Sequence, residues 1–294
     1  MAGQLTRWQG LSARARRRVV WELLTRSARR RGIDPAALAR VEEFLSHSFR
    51  LREARPAYPM QRPRNYFPGL STKPWYDATE FEWAQRLEAS FEMVRDEVAT
   101  VRKSNLISED AYEGDGGAAA TRAHPDDIPV EGQWDVFYFH VIGRRHEQNH
   151  VLCPQTSALL DSISDLCACG ISYFSILQAG THITPHTAPN NLRIRGMLGI
   201  ETPAEGRFRV GTEIRNWQEG RCLIFDGSFE HEVWASPHGD RTVLIVDTWH
   251  PGLTPEERWA LTELNRYSRE TRRYWKETLS VSAEQASAAQ ARAA

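Results

Sequence analysis

Between residues 134 and 249 the sequence holds seven short runs rich in β-branched and aromatic residues, at 134–142, 171–178, 192–200, 208–214, 221–225, 230–235 and 241–249. Gly, Pro, Asn or Asp separates them. Runs of that length bounded by turn residues read as strands. Seven strands in so short a stretch admit few architectures, because each exposed edge must be paired or covered. They point to a sandwich or a double-sheet jelly roll of the cupin kind, a fold that can hold a metal between its sheets.

At 294 residues the chain has room for two average domains, but no linker divides its middle, and an all-β unit can exceed 200 residues. The expectation is therefore mainly β with α additions, in five parts. Residues 1–105 form a helical region with a proline-rich arm. Residues 106–132 form a mobile loop that can also serve as a lid. The β core spans 133–252, a C-terminal helix 253–280, and a frayed tail 281–294.

Within the first part, Ser12 opens a helix that closes near Gly32, and Asp34-Pro35 supplies the cap and first-turn proline of a second. Prolines at 56, 59, 63, 68 and 74 then prevent a helix and leave an extended arm anchored by Tyr58, Tyr66, Phe67 and Trp75. One further helix is read from Asp77 to Arg102, with its acidic outer face near the basic first helix. Thr254-Pro255-Glu256-Glu257 reads as a capping box.

The 37 Lys and Arg balance 38 Asp and Glu, which implies no nucleic-acid partner. No run reaches the ~18 apolar residues of a membrane-spanning helix. Cys153, Cys167, Cys169 and Cys222 show no disulfide framework and suit a reducing compartment, so the expected location is the cytoplasm. The Arg-rich segment from Arg7 to Arg31 reads as a packed helix with a solvated face rather than a transit peptide.

Two histidines stand out in this frame. His186 lies in the Pro-flanked stretch from Gly180 to Asn191, and His231 in the stretch from Phe225 to Trp234, each beside an apolar-alternating run. Two neutral imidazoles in a β-barrel suit a non-heme metal, which for Fe(II) is usually completed by a carboxylate. Two residues after His186, however, the chain has Ala188. Arg241 opens the last long strand, where an inward guanidinium would fork a carboxylate. Arg193 and Arg195 share one strand face, either inward onto an anion or outward into solvent with Leu192, Ile194 and Gly196 inside. His140, His146 and His150 read as surface residues of a strand and loop. His182 is excluded as a ligand, because Pro185 forbids the helix that would align it with His186.

The run G-T-H-I-T-P-H-T-A-P-N-N-L-R-I-R, then F-D-G-S-F-E-H-E-V-W, then the segment ending V-D-T-W-H-P closely resembles the aspartyl/asparaginyl β-hydroxylase family of Fe(II)/2-oxoglutarate oxygenases. Weaker likeness runs upstream through Tyr66 to Trp75 and Gly143-Arg144-Arg145. The resemblance implies a double-stranded β-helix, His186 and His231 as iron ligands, and 2-oxoglutarate contacts at Ser175, Arg195 and Arg241, with dioxygen as the other co-substrate. The family has glycine where this chain has Ala188, so the missing carboxylate is shared.

Two departures concern residues that would surround the ligands. Met197 stands where the family usually has a histidine, and Asp226-Gly227 where it has two aspartates. Such groups are worth about ten- to a hundredfold in affinity or activity. The resemblance implies hydroxylation of an unactivated C–H bond in an amino-acid-like substrate, free, peptidyl or carrier-bound. A membrane anchor and helical repeats like those of the large animal members are not read here, which favours the small or tethered substrate. Two alternatives stay open: a halogenase that uses the position of Ala188 for chloride, and a non-catalytic binding protein that keeps the fold.

Overall fold

The computed structural model describes residues 10–103 and 130–268. The expected lid, the frayed tail and residues 269–280 of the expected C-terminal helix lie outside these, apart from residues 130–132 of the loop, where Val130–Glu131 is a strand.

Two facing sheets form the core. The larger joins β1 (Trp75–Tyr76), β10 (Cys222–Phe225), β7 (Arg193–Glu201), β12 (Arg241–Trp249), β5 (Ile171–Leu177), β3 (Trp134–Val141) and β4 (Arg144–Arg145), in that order. The smaller joins β2 (Val130–Glu131), β6 (His182–His186), β11 (His231–Trp234), β8 (Arg207–Val210) and β9 (Glu213–Arg215). The predicted jelly roll is thus present, and every pairing between named strands is antiparallel.

Alternation along the strands divides the larger sheet cleanly. Tyr173, Met197, Val243 and Ile245 face the smaller sheet in one buried cluster with Phe208, Phe225 and Phe229. Phe174, Ile194, Leu198, Leu244 and Val246 face outward into a second cluster, covered by helices. The predicted run 208–214 is two strands, β8 and β9, because Gly211 takes a positive φ of 60° and turns the chain back. Strand β6 carries Pro185, which a central strand would not accept. It is accommodated because β2 pairs only with Ile183 and His182, leaving the proline end at the sheet edge.

Helices α1 (Ala13–Arg30) and α2 (Ala39–Ser48) form the expected hairpin, with Ser12 capping the first and Asp34 capping a 3-10 turn before the second. Leu24, Ala28, Val41 and Phe44 pack with Ala260 and Leu261 of α7, residues 255–268. The capping box of α7 is reciprocal: Thr254 N donates to Glu257, and Glu257 N donates to the Thr254 hydroxyl.

The single helix expected over 77–102 is instead a 3-10 turn and two helices, α3 (Glu82–Ala89) and α4 (Phe91–Lys103), broken at Ser90. The break lets α3 lie on β7 and β10 while α4 packs on β7 and α6 (Pro154–Asp161). Among the described residues, no ion pair joins their acids to the basic first helix. Glu88 pairs with Arg221, and buried Glu97 accepts the backbone N–H groups of Gln155 and Thr156, capping α6. Arg17 of α1 pairs with Glu42 of α2.

Candidate metal and anion site

His186 and His231 are paired directly across β6 and β11, and a bulge follows at once in the register. Their ring centroids lie 4.0 Å apart. Each ring is oriented by its own strand: His186 Nδ1 bonds the Thr184 carbonyl at 2.7 Å, and His231 Nδ1 bonds the Phe229 carbonyl at 2.8 Å. In the neutral ring this places the proton on Nδ1 and the lone pair on Nε2, the tautomer that binds a metal. Burial pushes the His186 imidazole down to about 4, so it is neutral at physiological pH. Phe225 and Phe208 stand edge-on to the His231 ring and close off water.

The larger sheet supplies the anion side. Ser175, Arg241 and Met197 point into the space between the sheets. Arg241 is 2 % exposed, and only its Nη2 finds a partner, the Ser175 hydroxyl at 3.4 Å. Among the described residues, its Nε and Nη1 have none. The guanidinium lies over the Trp217 ring, 5.0 Å from its centroid, and Trp134 Nε1 donates to Ser175 Oγ at 2.8 Å. Burial pulls the Arg241 pKa down to about 10. A buried cation with two unused donors in one plane is costly unless an anion meets it.

Arg193 and Arg195 do face inward, and the anion that meets them is a residue. Arg195 Nε and Nη2 bond Asp247 at 2.7 and 3.0 Å, and Arg193 Nε lies 2.9 Å from the same carboxylate. Ile171 N adds a third donor. Burial alone would raise the Asp247 pKa, but the two guanidiniums hold it below the usual carboxylate range. Sequence reading missed Asp247, although it opens the D-T-W-H-P end of β12, because an acid in a strand reads as a solvated position.

Ala188 and Gly227 adjoin each other beside the histidines. Ala188 N donates to Gly227 O, and a Cβ on Gly227 would stand 3.3 Å from Ala188 Cβ and 3.7 Å from His231 Cε1. Two small residues thus occupy the wall from which a carboxylate would otherwise approach. Asp226 is buried beyond them, accepting from Ser228 N at 2.8 Å and Gln61 Nε2 at 3.3 Å. Gln61 belongs to the proline-rich arm, which straps the mouth of the site: Arg62 N donates to Ser228 O, and Phe67 and Asn191 exchange two hydrogen bonds.

Burial pushes the Asp226 carboxyl up to about 6, against the lowering effect of the Ser228 and Gln61 bonds and of Arg193. A raised folded pKa contributes stability that is complete below the ordinary value of 3.8 and is lost as pH rises through about 6. In metal-free protein, Asp226→Asn is therefore expected to abolish a loss of up to about 3 kcal/mol between pH 4 and pH 7. Urea unfolding at both pH values checks this; parallel losses in wild type and variant would contradict it.

His182 lies outside the site, bonded to Glu232 at 2.9 Å and stacked on Trp234. His150, by contrast, is 4 % exposed rather than a surface residue, because the short helix that carries it packs against β3.

The sequence profile of the family described as Aspartyl/Asparaginyl beta-hydroxylase matches residues 88–251, which include every residue just described except those of the arm. The chain belongs to this family. It is 37% identical over 202 residues to the Mus musculus aspartyl/asparaginyl beta-hydroxylase, a match spanning 66% of this chain and 25% of that one. Human aspartate beta-hydroxylase domain-containing protein 2 is 32% identical over 235 residues, covering 77% and 60%. The Rhizobium tropici ornithine lipid ester-linked acyl 2-hydroxylase is 32% identical over 202 residues, covering 66% and 68%. The chain thus spans about a quarter of the mouse protein's length. The names of the mouse and Rhizobium relatives both describe hydroxylases.

Proposed function

We propose that the chain is an Fe(II)/2-oxoglutarate-dependent dioxygenase that hydroxylates an unactivated C–H bond of an amino-acid-like substrate. The observation that carries this reading is Arg241, a guanidinium buried between the sheets with two unmet donors, on the strand face that looks toward the histidine pair. A dicarboxylate co-substrate has the anion such a group requires.

His186 and His231 would hold the metal through Nε2, since both Nδ1 atoms are committed to backbone carbonyls. Iron bound there would supply dioxygen activation coupled to decarboxylation of 2-oxoglutarate to succinate. Arg241 would receive the distal carboxylate on an edge of its guanidinium that includes one of the unmet donors, with the Ser175 hydroxyl as a second partner already within its reach. Trp217 shields the guanidinium from water, and Phe208, Phe225 and Phe229 keep the cavity apolar. Asp247 fixes Arg193 and Arg195 along the same wall. Met197, in place of the family histidine, adds an apolar surface. Family membership favours hydroxylation over the halogenating and non-catalytic readings. An amino-acid-like substrate, free, peptidyl or carrier-bound, is the class consistent with the name of the mouse relative, whereas the Rhizobium relative is named for an ester-linked acyl group.

Iron-loaded protein is expected to bind 2-oxoglutarate and to release succinate in the presence of oxygen, with His186→Ala reduced to background in both. An iron-loaded, folded protein that does neither would overturn the reading.

A further inference from the structure

The larger sheet carries chemistry on its other face as well. In β3, Tyr138 pairs with Tyr173 and His140 with Ser172, so Phe139 is an extra residue forming a bulge. A bulge re-aims the side chains beyond it. Here it turns His140 outward, where its Nδ1 bonds Ser172 Oγ at 3.0 Å, beneath α5 (Glu147–Leu152) and α6.

His150 of α5 lies against the same spot, its ring centroid 4.8 Å from that of His140. Its Nε2 donates to the Phe139 carbonyl at 3.0 Å, which leaves the lone pair on Nδ1. That nitrogen is buried and makes no hydrogen bond, on a side chain 2 % exposed. It is aimed at Asp161, the last residue of α6, whose Oδ2 lies 4.0 Å away. The other carboxylate oxygen, Oδ1, is 3.4 Å from His140 Nε2.

Arg145 Nη2 bonds Asp161 Oδ2 at 3.0 Å and orients the carboxylate, while Glu147 pairs with the same guanidinium and offsets its charge. Burial, followed by the charge of His150, pushes His140 down to about 4, so both rings are neutral.

We propose that His140, His150 and Asp161 form a second divalent-metal site of the zinc type, separate from the catalytic pair. Two imidazole nitrogens and one carboxylate oxygen suit zinc, with the half-exposed Asp161 leaving a fourth position to water. The three ligand atoms lie within 4.8 Å of one another. A tetrahedral site with bonds of about 2.0 Å requires separations of about 3.3 Å. The His140–Asp161 edge is already at that spacing; side-chain rotation of Asp161 shortens its 4.0 Å edge to His150, and the His140–His150 edge, no longer than 4.8 Å, closes by a small approach of the two rings. Each His has its outer partner in place, Ser172 for His140 and the Phe139 carbonyl for His150, as metal-binding histidines require. The site would clip β3 to two helices and lies on the face of the sheet opposite Arg241.

The test is zinc stoichiometry by equilibrium dialysis in buffered free zinc, on folded protein verified by circular dichroism. The double variant His186→Ala/His231→Ala is expected to retain one equivalent, and adding Asp161→Asn or His140→Asn is expected to remove it or weaken it at least tenfold. The same two substitutions in the otherwise native chain should each lower the stoichiometry by one, which keeps the test valid if the double variant does not fold. Loss of the site should also lower the zinc-dependent rise in melting temperature while leaving succinate release unchanged. Zinc binding that is absent from the double variant, or that neither substitution alters, would overturn the proposal.

Discussion

Replacing Arg241 with methionine is expected to abolish 2-oxoglutarate binding while leaving the co-substrate-free fold at least as stable as wild type. Removing one member of a buried ion pair costs about 2–5 kcal/mol in binding, or roughly thirty- to several-thousandfold in affinity. The stability side has the opposite sign. Without an anion, Arg241 carries a buried charge whose only direct partner is a long bond to a hydroxyl. Methionine keeps much of the volume, removes the desolvated charge and gives up the long bond to Ser175 and the contact with Trp217, the latter worth about 0.5–2 kcal/mol. Isothermal titration with 2-oxoglutarate and urea unfolding measure the two effects separately. A variant that binds normally, or one that loses binding only because it unfolds, would remove Arg241 from the role assigned to it.

Asp247→Asn should act almost in reverse, as a large loss of stability. The substitution is isosteric, but it leaves Arg193 and Arg195 buried beside a neutral amide. Stranding a buried charge in this way costs about 3–5 kcal/mol. The effect has a defined pH range. The folded pKa of Asp247 is depressed, so its contribution is complete above the ordinary value of 3.8 and is lost only as pH falls through the lower folded value. The gap between wild type and variant should therefore be constant from pH 5 to 8 and shrink below pH 4. Equal unfolding midpoints at pH 7 would show that the two arginines find other partners.

The strands of the core were legible because alternation and turn residues mark them, and the histidines because both lie next to such runs. The helix break at Ser90 was not legible, since no Gly or Pro marks it and the apolar period runs through it. Strand β6 was hidden by Pro185, acceptable only because its partner β2 is two residues long. The role of Gln61 depends on where the arm crosses the core, and that of Trp217 on a loop that no periodicity describes. His140 and His150 read as exposed because the extra residue in β3 cannot be seen without its partner strand. Arginine inside a strand was informative in itself, but Asp247, its counter-charge, lies 52 residues from Arg195 in the chain.

The strap across the site has a consequence for the order in which the protein is made. Its bonds link residues far apart along the chain: 165 positions for Gln61 and Asp226, 125 for Thr187 and Arg62, and 124 for Phe67 and Asn191. Contacts of that separation repay their loop-closure entropy only once both segments they join are already fixed. The walls that hold His186 and His231 come from neighbouring strands and can form without the arm. The arm therefore belongs to the end of the folding sequence, and the mouth of the site takes its final shape only after the cavity behind it exists.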